Sequence, residues 1–320
     1  MQTSGNSTPT IAKGGGFAAP LTAFVKKRWP DSWRGDHLTA FLVLLPSIVA
    51  VAIFVYGFIL WTFRVSFTNW SGWSATYDLV GLDNWKQLFL NDERWLIDLR
   101  NLVEYAVVFM TLCMGLGFLM AALLNQHIKG ESIFRTVFVF PFAVSGIVTG
   151  VVWRWLMYPP AGLNLILGGI GLGFLQNKWY AAPYGTMAVA LAGAWQFTGY
   201  VMSLYLAGLR GINPELMEAA QIDGATTWDM YRNIIIPMLS PVTFTAIVLT
   251  GMGSIRVFDL VVAISGSGAG FTTDTMAFYM FQSIFQTSRF AQGAVIAAFM
   301  IILSAFLVGP YLMSIRREVE

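Results

Sequence analysis

Charge is what this chain has least of. Of its 320 residues, 11% are Asp, Glu, Lys or Arg, against about 25% in a soluble domain. That excludes an ordinary water-soluble fold. Histidine is almost absent. His37 and His127 are the two present, each without a second ligand nearby, so no ligand set for a metal is in view. The single cysteine, Cys113, excludes an internal disulfide and a thiolate metal site; within an apolar run it reads as a small buried hydrophobe. No G-x-x-x-x-G-K-[ST] phosphate loop occurs, so the chain carries no nucleotide site of that kind. Basic residues barely exceed acidic ones, 19 to 17, and no basic run with interleaved aromatics is present, which argues against nucleic acid. No nucleophile–base pair or metal cluster suggests an enzyme.

Apolar residues are what the chain has in abundance. It is 56% hydrophobic, with a mean hydropathy of +0.64. A spanning helix needs about 20 mainly apolar residues. Six stretches satisfy that, 38–63, 101–125, 136–158, 184–209, 242–265 and 290–314. The runs are continuously apolar rather than alternating, so helices are expected and not a barrel. The expected class is an all-α integral membrane protein of six transmembrane helices over residues 38–315. Residues 1–37 are rich in Ser, Thr, Gly and Pro and then basic, and read as a disordered tail. The apolar stretch after them is far longer than a signal h-region of about 7–15 residues, so it is expected to stay as the first span.

Lys and Arg predict orientation. With the amino terminus inside, the inner segments hold Lys13, Lys26, Lys27, Arg28, Arg34, Lys129, Arg135, Arg210, Arg232, Arg316 and Arg317. The outer segments hold Arg64, Lys86, Arg94, Arg100, Lys178 and Arg289. The excess lies inside, so both termini (316–320 at the carboxyl end) and the loop 210–240 are expected in the cytoplasm. Trp61, Trp70, Trp73, Trp153, Trp155 and Trp179 cluster near the predicted outer ends, as an interfacial belt does. In the outer loop 64–100, Gly81–Trp85 opens a short amphipathic helix, expected to lie on the bilayer.

The loop 210–240 is polar and Gly-broken between two spans. Asn213 suits an N-cap and Pro214 the first helical position. Glu215 and Glu218 fall where the helix dipole favours acids. Leu216, Ala219, Ala220 and Asp223 share one face. Gly224 can end the helix with left-handed dihedrals. Thr226 and Asp229 then form a second capping box, and Trp228, Tyr231 and Ile235 share one side of the helix that follows. Two short helices joined at a glycine elbow make a protrusion that a partner could grip. Ala219 and Ala220 permit close approach, and Glu218 can accept a charge-assisted hydrogen bond.

Residues 218–237, EAAQIDGATTWDMYRNIIIP, resemble the EAA loop of the membrane subunits of bacterial ABC importers. Val80–Trp85 is similar to the "vGLdNf" element of carbohydrate ABC permeases. So is Phe258-Asp259-Leu260-Val261 with the Gly-rich stretch after it, although Ser265–Ala269 departs from the usual T-G-G-G-P. The resemblance covers about 38–314 and is nearest to the maltose-permease type of first subunit, with a glucose/mannose flavour. It implies a type I permease fold in the plasma (inner) membrane. It also implies a second permease subunit, two ATPase subunits held by Glu218, Ala219, Ala220, Asp223 and Gly224, and an extracytoplasmic sugar-binding protein. ATP would be bound by the partners, and no cofactor by this chain. An ion-coupled secondary transporter is the alternative, with Asp259 and Glu104 as its only acid relay and no repeat visible.

Charges within spans are functional candidates. Arg154 lies between Trp153 and Trp155 and reads as snorkelling to the interface. Arg256 and Asp259 stand three apart on the fifth span and are expected to pair, either fixing helix register or facing a cavity. With Trp195 and Thr198 of the fourth span, they form the candidate substrate pathway. Gly146-x-x-x-Gly150 permits close helix approach, and Pro46 and Pro141 are candidate kinks.

Overall fold

A computed structural model describes residues 36–126 and 128–319, with side chains from 40 to 313. Residues 1–35 of the tail expected over 1–37, with His127 and Glu320, lie outside the described residues. Helix already begins at Asp36, inside the expected tail, and runs through Val319 at the other end. Among the described residues the only extended pairing is a bridge between Thr68 and Leu79; everything else regular is helical.

The chain divides into two compact units, Met1–Ile59 and Leu60–Glu320. The described part of the first is helix α1 (Asp36–Val51), a π-turn at Ala52–Gly57 and the start of α2 (Phe58–Ser66). Its side chains, Phe41 and Phe54 among them, are largely exposed, as suits a helix whose solvent is lipid. The second unit continues with α3 (Asp83–Asn91), α4 (Glu93–Leu124), α5 (Glu131–Ala143), α6 (Gly146–Leu156), α7 (Leu163–Gly169) and α8 (Gly185–Arg210). Then come α9 (Pro214–Ile222), α10 (Thr227–Met230), a π-turn at Tyr231–Ile235, α11 (Ile236–Met238), α12 (Ser240–Ile255), α13 (Asp259–Ile264), α14 (Met276–Phe281) and α15 (Phe290–Val319).

Four helical stretches are long and apolar enough to cross a membrane: Ala40–Ser66, Glu93–Leu124, Gly185–Arg210 and Phe290–Met313. The third and fifth spans are not the straight helices expected. The third bends by 99° between α5 and α6. Pro141 cannot continue the hydrogen-bond ladder, Val144 is extended, and Ser145 restarts the helix by accepting from Val148 N at 3.3 Å. The expected fifth span, 242–265, ends at Ile255. Phe258 leaves helical dihedrals, and Asp259–Ile264 is a separate short helix. Helix α12 is instead preceded, at its amino-terminal side, by the helical stretch Thr227–Met238, bent 63° against Ser240–Ile255.

Helices α4 and α8 form the centre of the second unit. They approach closely because small residues meet there: a Cβ on Gly117 would lie 3.0 Å from Val201 Cγ1. The Gly146 and Gly150 spacing works as expected. A Cβ on Gly150 would stand 2.5 Å from that of Ala263, so α6 rests directly on α13.

The connections at one end of the bundle are tied by polar contacts. Arg94 Nε donates to Asp274 Oδ2 and its Nη2 to Gln282 Oε1, both at 2.5 Å. The same guanidinium lies 4.1 Å above the Tyr279 ring. Asn101 Nδ2 donates to the carbonyls of Phe271 and Asp274. The Tyr279 hydroxyl donates to Asp92, which also caps α4 by accepting from Trp95 N. Helix α3 is part of this end, not a free interfacial helix: Leu88 is buried with Trp95, Val295 and Ile296. At the opposite end Arg210 pairs with Glu131 at 2.5 Å.

Candidate functional sites

The hairpin after α8 is built by its caps. Asn213 Oδ1 accepts from Glu215 N at 3.1 Å, with Pro214 at the first turn. Gly224 takes φ +82°, and Ala225 N returns to the Ala220 carbonyl at 2.9 Å, which closes α9. Thr226 and Asp229 cap one another reciprocally: Thr226 Oγ1 accepts from Asp229 N, and Asp229 Oδ2 accepts from Thr226 N. The base is anchored in the bundle. Ile235 is buried, and Tyr231 meets Phe118 edge-on at 6.3 Å.

The tip is free of the bundle. Glu218, Ala219, Asp223 and Gly224 are exposed and Ala220 is half-buried. Trp228 and Ile235 do not share an environment as expected, because Trp228 lies beyond the end of the bundle while Ile235 reaches into it. Ile222 and Trp228 are 86% and 69% exposed. A bulky aliphatic and an indole are thus both held out from a polar hairpin that also carries the acidic residues. Ile222 was not singled out from sequence. An apolar residue in an otherwise polar loop, one position before Asp223, was the available signal.

A cavity of about 300 Å³ lies between α4, α6, α8 and the break at 256–258. Its walls include Tyr105, Phe109, Gln196, Phe197, Arg256 and Asp259. Tyr105 and Phe109 stack at 5.3 Å, and Phe109 and Phe142 both pack on Phe197. Gln196 Nε2 donates to the Val144 carbonyl at 2.6 Å, the unpaired backbone group at the α5–α6 bend. Gly193 keeps the space open, since a Cβ there would be 2.5 Å from the Tyr105 hydroxyl. The cavity therefore combines aromatic faces, a carboxamide, a guanidinium and a carboxylate, all placed where two helices break. Irregular backbone at such depth is tolerated where it is enclosed by protein or faces a water-filled space.

Two expectations change here. Arg256 and Asp259 line the same cavity, but no ion pair joins them among the described residues. Arg256 Nε donates to the Met252 carbonyl at 3.3 Å, and Asp259 begins the next helix against Gly146. The helix ends between them, so the three-residue spacing no longer brings them to one face. Trp195 and Thr198 are not with them. They line a separate, largely apolar cavity of about 600 Å³ with Phe138, Pro141 and Trp153. Trp195 meets Trp153 edge-on at 6.1 Å, and the Thr198 hydroxyl donates back to Ala194 O. Tyr105 and Phe109 went unrecognised in the sequence, although their i, i+4 spacing places them on one face of α4. Glu104 pairs with Arg100 at 2.7 Å on the helix surface and forms no relay with Asp259. Among the described residues no group of His, Cys, Asp and Glu is arranged to hold a metal.

Residues 113–316 match the family model described as binding-protein-dependent transport system inner membrane component. A probable ABC transporter permease protein of Pyrococcus horikoshii is 38% identical, over 85% of this chain and 93% of the relative. The xylose/arabinose import permease protein XacH of Haloferax volcanii is 33% identical, over 82% and 84%. Among solved structures, a bacterial ABC transporter that imports the acidic polysaccharide alginate superposes with a TM-score of 0.73, covering 92% of this chain and 98% of that one at 21% identity. At that identity the likeness concerns the fold, a type I importer permease.

Proposed function

Because the chain belongs to the family of binding-protein-dependent transport system inner membrane components, we propose that it is the unpowered pore subunit of an ATP-driven sugar importer. Family membership sets aside the ion-coupled secondary transporter. The sugar class is carried over from relatives such as XacH and the trehalose/maltose permease protein MalF of Thermococcus litoralis, 28% identical over 87% of this chain.

The observation that carries the coupling part is the hairpin. It is capped at every turn, rooted through Tyr231 and Ile235, and presents Glu218, Ala219, Asp223, Gly224, Ile222 and Trp228 to solvent. This fits a surface gripped by an ATPase subunit in the cytoplasm. Ala220 supports the contact from behind. ATP closes the ATPase pair, the hairpins move, and a passage shared with a second permease subunit alternates its openings. A sugar-binding protein delivers at the opposite end. Sugar then passes Arg256, Asp259, Gln196 and Tyr105, whose groups suit hydroxyls and a ring face. Trp195 and Thr198 belong to helix packing.

The test is reconstitution. The chain with its partner permease and ATPases should take up sugar only with ATP and binding protein. Uptake by the chain alone on an ion gradient rejects the reading. So does labelling of an Ile222→Cys variant by an impermeant reagent from the outer side.

A further inference from the structure

A second polar cavity stands at the far end of the bundle from the hairpin. It measures about 360 Å³, within the range of about 300–1,000 Å³ typical of small-molecule sites. Asn69, Ser71, Asn84, Gln87, Arg289 and Gln292 supply its polar wall. The walls are fixed in advance. Gly72 N donates to the Ser288 carbonyl at 2.8 Å and Ala291 N to the Trp70 carbonyl at 2.9 Å, so two distant segments are pinned around the space.

The pairing of the amides decides what the cavity can take. Asn84 Nδ2 donates to the carbonyls of Ser66 and Thr68. Gln292 Nε2 donates to Asp92 and to the Tyr279 hydroxyl oxygen. Asn69 Nδ2 donates to Asp78. Asn84 and Gln292 thus spend both donors on the protein and Asn69 one of its two, and the three carbonyl oxygens accept nothing among the described residues. The Gln87 amide and the Arg289 guanidinium make no side-chain hydrogen bond among those residues, and donate freely. An anion would meet the amide oxygens and a cation would meet Arg289. A hydroxyl both donates and accepts, and matches the set.

We propose that this cavity is an accessory binding site for a neutral sugar ring, separate from the central passage. It rests on the importer reading only for the supply of sugar at that end.

The test uses saturation-transfer NMR on the detergent-solubilised complex, with glucose and maltose as probes. Gln87 and Arg289 are exposed at their positions, so a Gln87→Ala, Arg289→Ala double variant should fold. A transfer signal from either sugar that is at least tenfold weaker in the double variant is the expected result. No signal with either probe, or a signal insensitive to the double substitution, overturns the site. Loss of stimulation by the binding protein with an unchanged sugar signal assigns the cavity to protein contact and also overturns it. Absence of ATP-driven uptake in the wild type would remove the importer reading while leaving a Gln87- and Arg289-dependent signal intact.

Discussion

Replacing Arg94 with alanine tests how the α4, α14 and 265–275 segments are held together. The Asp274 carboxylate is fully buried, and Arg94 is the cation paired with it, at 2.5 Å. Asp98 is also fully buried and lies against Asp274. Burial pushes the Asp274 carboxyl above its usual range, while the hydrogen bond and charge of Arg94 pull it back down. Removing one partner of a buried pair costs roughly 3–5 kcal/mol, because a charge is left uncompensated. At about 2 °C per kcal/mol for a chain of this size, Arg94→Ala should lower Tm by roughly 6–10 °C. Asp274→Asn in the same background should recover most of that loss, since the stranded charge is gone. The sign with pH follows from the raised carboxyl. Its contribution is intact below the ordinary carboxylate pKa of about 3.9 and is lost as pH rises through the folded value. Without Arg94 the downward pull disappears and the loss deepens. The gap between variant and wild type should therefore narrow as pH falls from about 8 to about 5. Thermal unfolding of the purified complex, followed by size-exclusion of heated samples, reads the wild type and both variants. An equal gap at every pH, or no rescue by Asp274→Asn, refutes the account.

Glu218→Lys reverses the charge at the hairpin tip without touching its caps; ATPase activity should persist while sugar uptake falls at least tenfold, and unimpaired uptake would remove Glu218 from the contact. Gly150→Leu drives a side chain into Ala263, whose Cβ would already be 2.5 Å from a bare Cβ, so it should cost about 1–3 kcal/mol by overpacking, visible as a lowered Tm; an unchanged Tm means α6 and α13 separate freely. Arg256→Ala and Asp259→Asn should each reduce uptake per folded complex while leaving binding-protein docking unchanged. Trp195→Phe should leave uptake near wild type, and a loss there comparable to that of Arg256→Ala would restore Trp195 to the passage.

Much of the fold was readable because lipid imposes a simple demand on sequence. Apolar length located the four unbroken crossing helices to within a few residues at most of their ends, and α8, expected over 184–209, runs from Gly185 to Arg210. Cap chemistry was equally local. Asn213, Gly224, Thr226 and Asp229 act within a few residues of themselves, so their pattern carries the hairpin outright. The candidate pathway was less readable. Trp195 and Arg256 were grouped by residue type, whereas Trp195 turns to the α5–α6 side of α8 and its neighbour Gln196 faces the cavity. One residue on a helix is a rotation of about 100°, and hydropathy does not report rotation in a helix that is apolar all round.

The helix breaks were hidden for a different reason. A break exposes backbone groups, and in a bilayer each such group must find a partner within the protein. At Val144 that partner is the Gln196 carboxamide, 52 positions away. At Val257 it is the Thr275 hydroxyl, which donates to the carbonyl at 3.0 Å from 18 positions away. Neither partner is visible in any window used to judge a helix. The same two repairs stand next to the central cavity, with Gln196 in its wall and Val257 at its edge. Holding two helices open there, and satisfying the freed carbonyls from other elements, is what creates a polar space inside an otherwise apolar bundle. Polar residues within spans are therefore better read first as partners for broken backbone. Groups that remain unspent among the described residues after that accounting, here the Arg256 Nη atoms and the Asp259 carboxylate, are the ones available to a passing ligand.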